Sequence, residues 1–249
     1  MNPEMAQAKT VRPLTPRAHE VGWTPENIER FWNYHSSRSG HEDTYFSKVR
    51  GRAIIEFVSS KIAIGTALDM GCGRGDLIGH LLDRYPACGA DQSPESVDIV
   101  TKRFSGNKRF RGATVGTHSL PDKAIDTVFL IEVVEHLNDA TLASVLSEAR
   151  RLLKPQGHLV LTTPNNEDLE SSKTICPECA CIFHYWQHVR SWSRQSLEEK
   201  VQSYGFAGTA TSTLLSPYSG LKRFLQKTAH RLRGERMPHL VYIGRAAPS

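Results

Sequence analysis

Leu68-Asp69-Met70-Gly71-Cys72-Gly73-Arg74-Gly75-Asp76-Leu77 passes in ten residues from a buried-strand pattern, through alternating glycines, into a helical pattern. Ala67 to Met70 reads as a short strand, and the spacing predicts a helix from Asp76 to Arg84. Glycines let the backbone approach a ligand closely, and the amides of a following helix N-terminus face it. An ordinary tight turn is the bland alternative. Asp91, closing the next strand, argues against it, because an acidic side chain at that topological position accepts hydrogen bonds from ribose hydroxyls.

Outward from this loop the chain alternates. Strands are expected at Cys88 to Asp91, Arg109 to Val115, Thr127 to Glu132 and Gly157 to Thr163, with helices at Pro94 to Phe104 and Asp139 to Leu153. This rhythm predicts an α/β fold, a doubly wound, Rossmann-like and mostly parallel sheet, with ligands beyond the strands' C-terminal ends. Past Pro164 a loop-rich insert, 165–192, interrupts it. A helix at Arg194 to Tyr204 follows, then strands at Phe206 to Leu215 and Leu240 to Gly244, read as an antiparallel hairpin with an insertion at 217–238. Before the loop, residues 1–22 read as a mobile leader. Residues 23–62 read as a helical lid, its second helix from Tyr45 to Lys61 carrying Phe46, Val49, Ala53 and Phe57 on one face. The domain proper is then 63–249.

The chain has 249 residues, 39% of them apolar and 23% charged, enough for one large α/β domain. No run approaches a membrane span and the N-terminus has no apolar signal centre, so a cytoplasmic protein is expected. Five cysteines, three of them clustered, argue against a disulfide framework. The net charge of +5 suits an anionic partner without specifying one.

With LDMGCGRGDL, GADQSPESV, TVFLIEVVEHL and RLLKPQGHLVLTTPN in view, the chain resembles the class I S-adenosylmethionine-dependent methyltransferases over roughly residues 45 to 215. The resemblance implies a seven-stranded sheet with an antiparallel last strand, methyl transfer, and S-adenosylmethionine lying across Gly71, Gly73 and Asp91. Its further expected contacts are Asp69, Cys72, Gly75, Gln92, Thr117 and Ile131. Relatives often meet the adenine amine with an acidic residue near the end of the third strand. Here Val115-Gly116-Thr117 stand there, and Thr117 or a backbone group is the expected substitute.

The fourth strand ends in Ile131-Glu132-Val133-Val134-Glu135-His136-Leu137. Two carboxylates and an imidazole beside an apolar run are costly to bury unless paired or bound to a metal. Glu132 should face the methyl donor. It or His136 could take the proton of a hydroxyl acceptor, and carboxylates with one imidazole suit Mg²⁺ or Mn²⁺. ExxEH is similar to the motif of ubiquinone-pathway O-methyltransferases and of small-RNA 3′-terminal 2′-O-methyltransferases, which implies a divalent ion on Glu132, Glu135, His136 and His188. A capped helix start remains the plainer reading of Glu135 and His136. In the insert, Cys176, Cys179, Cys181 and His184 have zinc spacing, against the alternative of reduced cysteines packed in a substrate loop.

In the second insertion Leu221, Phe224, Leu225 and Leu232 form an apolar stripe opposed by Lys222, Arg223, Lys227, Arg231, Arg233 and Arg236. Residues 221–237 thus read as a basic amphipathic helix, either on an anionic membrane or nucleic acid, or packed on the domain with a solvated face. The expected acceptor is a small-molecule or lipid- or sugar-linked hydroxyl. RNA is the rival, disfavoured by the mild basicity and the lack of a separate RNA-binding module. A non-catalytic binding protein on the same fold is the reading from another class.

Overall fold

The computed structural model describes residues 17–37 and 45–247. Residues 1–16, most of the expected leader, lie outside the described residues. His19–Glu20 does not belong to a free leader: it forms a short strand, β1, ahead of helices α1 (Pro25–Ser37) and α2 (Phe46–Ser59).

The alternating region gives β2 (Ala67–Met70), α3 (Asp76–Leu81), β3 (Ala87–Asp91), α4 (Pro94–Phe104), β4 (Phe110–Val115), β5 (Ile125–Ile131), α5 (Asp139–Leu152) and β6 (Leu153–Pro164). The insert contributes β7 (Lys173–Ile175) and β8 (Cys181–His184). The chain closes with α6 (Arg194–Gln202), β9 (Phe206–Thr213), α7 (Gly220–Leu232) and β10 (His239–Ala246). Seven strands join in the order β4-β3-β2-β5-β6-β10-β9. The first five are parallel, and β10 runs antiparallel to both β6 and β9.

The central strands read as unbroken apolar runs because both faces of the sheet are covered, as parallel sheets require. Their period of two divides the residues between two cores. Leu68, Leu130, Leu161 and Tyr242 pack with Leu142 and Leu146 of α5 and Leu197 of α6. Ala67, Phe129, Val160 and Val241 pack with Ile54 of α2, Leu77 of α3 and Val100 of α4. Local signals set the helix starts. Ser93 accepts from the Ser96 amide with Pro94 following, Asn138 accepts from Thr141, and Ser193 with Ser196 forms a capping box.

The expected face of α2 holds in part. Ala53 is buried and Phe46 and Phe57 pack against the same core, Val49 is exposed, and the buried set also takes in Gly51, Ile54, Ile55 and Val58. The branched aliphatics turn inward, and Gly51 allows α2 to close on His80 of α3, where a Cβ would lie 2.5 Å from the ring. The insert is a second, three-stranded sheet. β7 and β8 form an antiparallel hairpin, and β1 adds in parallel to β8.

Candidate active site

Between β2 and α3 the chain turns through Gly71, Gly73 and Gly75 at φ of +86°, +49° and +78°, a region in which a side chain is strained. Asp91 at the tip of β3 ties the loop down, one carboxylate oxygen accepting from the Gly73 amide at 2.8 Å and the other from Ser93 at 2.9 Å. A Cβ on Gly73 would meet nothing within 4 Å, so this part of the loop faces open space. Asp69 lies buried beneath it. Burial, then the neighbouring charges of Asp91 and Asp76, push its carboxyl up to about 8. Such a group lacks a cation. Cys72 is buried against Gly89, and burial raises its thiol far above the ordinary range, which makes it packing.

The glycine loop touches the end of β5, since a Cβ on Gly71 would come within 2.9 Å of Val133. Just past β5, Glu132 takes a left-handed conformation at φ +53°, a strained choice for a residue with a side chain. Thr162 of β6 holds it there. Its carbonyl and hydroxyl oxygens accept from the Glu132 amide at 3.1 and 3.2 Å, and its hydroxyl donates to the Glu132 carboxylate at 2.8 Å. Burial raises the Glu132 carboxyl, with the Thr162 bond and the charge of Arg50 acting in the opposite direction.

The turn Val134–His136 then presents two more groups. Glu135 is 1% exposed, accepts from Thr163 at 3.0 Å with one oxygen, and has no partner for the other. His136 likewise leaves Nδ1 buried and unpartnered, and burial lowers its imidazole to about 3, so the ring is neutral. His188 folds back from the insert, and ligand atoms of Glu135, His136 and His188 lie within 4.8 Å of one another. Unsatisfied buried donors and acceptors in a native fold call for an occupant or a function.

A second triad shares His188. Glu167 reaches His188 Nδ1 at 2.5 Å with one oxygen and His184 Nε2 at 3.5 Å with the other, and the two imidazoles stack with centroids 4.5 Å apart. His184 Nδ1 accepts from the amides of Trp186 and His188, each at 3.2 Å. Its proton in the neutral form is therefore on Nε2, which lies 3.5 Å from Glu167 and makes no hydrogen bond. By the same reasoning Glu167 draws the His188 proton to Nδ1 and leaves the Nε2 lone pair available, the arrangement by which a carboxylate orients a ligating histidine. Gln187, fully buried at φ +63°, ties α1 to this centre. Its side-chain oxygen accepts from Trp32 of α1 at 3.0 Å, its amide donates to the His136 carbonyl at 3.1 Å, and the Trp32 ring meets His136 edge-on.

Several expected site residues are placed differently. Glu132 stands outside the Glu135–His136–His188 group of ligand atoms, its carboxylate engaged by Thr162. The expected zinc set is divided: Cys181 and His184 are three apart on β8 and so project from opposite faces, and His184 turns to Glu167. The cysteines are free thiols, and with His184 they form no ligand group among the described residues. The Thr117 hydroxyl donates to Glu148 at 2.7 Å, so its proton is already engaged. Ile131 is buried in the core and Gln92 follows Asp91 at the strand end. Glu167, Gln187 and Arg50 were not expected from the sequence. The one signal was a carboxylate shortly after β6 and an amide beside His188, neither of which forms a motif.

The domain model described as a methyltransferase domain matches residues 26–211. A Mycolicibacterium smegmatis protein named a probable S-adenosylmethionine-dependent methyltransferase is 31% identical over 168 residues, 66% of this chain and 60% of that one. An uncharacterised 37.1 kDa protein of a Streptomyces fradiae transposon is 32% identical over 130 residues, 50% of this chain and 36% of its own length. The chain thus spans less than two thirds of either curated relative. Among solved structures, Burkholderia thailandensis 1,6-didemethyltoxoflavin-N1-methyltransferase, with its bound substrate and S-adenosylhomocysteine, aligns at a TM-score of 0.60 and 16% identity over 94% of both chains. At that identity the likeness speaks to the fold.

Proposed function

The chain belongs to the class I S-adenosylmethionine-dependent methyltransferases, and from that premise we propose that it transfers the cofactor's methyl group to a hydroxyl oxygen of a small-molecule or lipid- or sugar-linked acceptor. The observation that carries this reading is the buried carboxylate and histidine centre that opens where β5 ends against the glycine loop.

The residues present fit the cofactor. Asp91 keeps unused lone pairs for ribose hydroxyls, Gly73 faces open space, and Asp69 is a buried carboxyl without a cation, suited to the cofactor's ammonium group. The cofactor supplies an electrophilic methyl carbon on sulfonium. A hydroxyl acceptor must lose its proton as it attacks, and Glu132 is the base in reach. Its raised affinity for protons suits it to accept one near neutrality, and its conformation, held by Thr162, fixes where that proton goes.

The same centre fits a divalent ion. Two orphaned buried atoms, on Glu135 and His136, face a histidine whose second nitrogen is oriented by Glu167. One carboxylate with two neutral imidazoles favours Mn²⁺ over Mg²⁺. Such an ion would lower the pKa of a bound hydroxyl. The cysteine hairpin gives no comparable support for zinc.

The test is methyl transfer from labelled S-adenosylmethionine to phenols, sugars, lipid-linked alcohols and RNA, with and without chelator. Label on an acceptor oxygen, slowed by chelator and strongly reduced in Glu132→Gln, is the expected result. Label only on nitrogen or carbon across the panel would overturn it. RNA ribose 2′-O-methylation is the second reading, favoured by the arrival of His188 beside Glu135 and His136. Transfer to RNA alone would select it.

A further inference from the structure

Helix α7 is mounted with the wrong side out for a helix of a self-contained domain. In an ordinary amphipathic surface helix the apolar stripe faces the core. Here Leu221, Phe224, Leu225 and Leu232, which share one face by their spacing of three, four and seven or more, are 71, 65, 55 and 83% exposed. The polar side is the one docked. Arg223 pairs with Glu56 of α2 at 2.6 Å, Gln226 accepts from the Ser216 hydroxyl at 2.6 Å, and His230 pairs with Glu235. None of the helix residues is buried.

The exposed stripe is bordered by cations. Lys222 lies on one flank with Arg233 just beyond the helix, and Arg231 lies on the other, all exposed. From Pro217 to Gly234 there is no aspartate or glutamate. The nearest carboxylates, Glu56 and Glu235, are already taken by Arg223, His230 and Arg233. Lys227 responds to this excess: burial, then the charges of Arg223 and Arg231, lower its pKa.

We propose that α7 is a lipid-docking helix that seats the protein on an anionic membrane surface, with Leu221, Phe224, Leu225 and Leu232 entering the boundary between headgroups and acyl chains while Lys222, Arg231 and Arg233 contact anionic headgroups. Bulky aliphatics at the centre of the patch with basic residues at its rim are what such an interface rewards. A nucleic acid would leave the leucines in water, and no helix among the described residues is long and apolar enough to cross a membrane instead.

The segment that leads into α7 is tied to the centre through Arg50. The Leu215 carbonyl, in the segment that leads into α7, accepts from Arg50, and Arg50 feels the charge of Glu132. If the methyl acceptor is the hydroxyl proposed above, an inference that rests on that reading, it is one carried on a lipid and presented from the membrane at this edge.

The test is co-sedimentation of the full chain with phosphatidylcholine vesicles, with and without phosphatidylglycerol, alongside calorimetry of S-adenosylmethionine binding. The wild type should sediment with the anionic vesicles only, less so at high salt. The triple variant Leu221→Gln, Phe224→Gln, Leu225→Gln should lose that binding while retaining its cofactor affinity, because all three side chains are already in solvent. Lys222→Glu should weaken it by at least fivefold, roughly the contribution of one basic residue at such a surface. Equal sedimentation with neutral and anionic vesicles, or unchanged binding by the triple variant, overturns the proposal. So does a lipid-free dimer that the triple variant dissolves, since the stripe would then cover a second copy. Vesicle binding without methyl transfer to any hydroxyl would leave the docking intact and sink the O-methyl reading alone.

Discussion

Glu132 and Asp69 show how two carboxylates of one site are given different work. Glu132 faces the acceptor side and is held by one hydroxyl, so Glu132→Gln should bind S-adenosylmethionine as the wild type does while turnover falls on the order of 10²–10⁴-fold. Calorimetry and initial rates separate the two effects, and full activity would remove its role as base. Asp69 is sealed beneath the glycine loop with its carboxyl raised to about 8. A carboxyl raised above its ordinary value stabilises the fold while it holds its proton and loses that contribution as pH rises through the folded value. The ligand-free wild type should therefore lose stability between about pH 4 and 8 relative to Asp69→Asn, with the two melting temperatures diverging in the mutant's favour across that range and running parallel above it. The same substitution should weaken cofactor binding at least tenfold, because the cofactor's ammonium group loses its counter-charge. Melting curves that stay parallel across this range would show that the carboxyl is not raised. Glu132 was visible in the sequence as a polar residue closing an apolar strand, and Asp69 entered through the glycine loop's resemblance to cofactor-binding relatives. Glu167 was not, because a carboxylate in a loop carries no periodic signature, and only the fold brings it to His188.

At the scale of elements, α1 and the insert are joined at the centre. Gln187 joins Trp32 of α1 to the backbone of His136, so one side chain links α1, the insert and the turn after β5. Gln187→Ala leaves the Trp32 indole and the His136 carbonyl unpaired in a buried site, a cost of about 2 kcal/mol. That corresponds to a drop in melting temperature of roughly 4–8 °C in a protein of this size. Hydrogen exchange should rise in α1 before it rises in the central sheet, and uniform exchange would show that Gln187 merely fills space. The sequence placed α4 and α5 almost to the residue because caps and proline act locally. On α2 it found Phe46, Ala53 and Phe57 but counted the exposed Val49 and left out Ile54, Ile55 and Val58, because the choice among apolar residues depends on the approach of α3, and it could not say which way α7 is mounted.

For the molecule as a whole, the buried orphan atoms of Glu135 and His136 predict stability linked to a divalent ion. Manganese at a hundred times its dissociation constant should stabilise the fold by about 2.7 kcal/mol, which raises the melting temperature by roughly 5–11 °C. The rise should disappear on adding chelator and be absent in His136→Ala. An equal rise in that variant would place the ion elsewhere. The sequence by itself determined the doubly wound sheet, the glycine loop with Asp91, and the polar cluster at the end of β5, because each follows from periodicity, local turn chemistry or adjacency along the chain. Tertiary structure alone decided which groups meet. His184 leaves the cysteines for Glu167, His188 reaches Glu135 and His136 from about fifty residues away, and the apolar stripe of α7 is turned outward. Those outcomes depend on backbone packing and on which buried polar groups find partners, and neither is written in the spacing of residues along one segment.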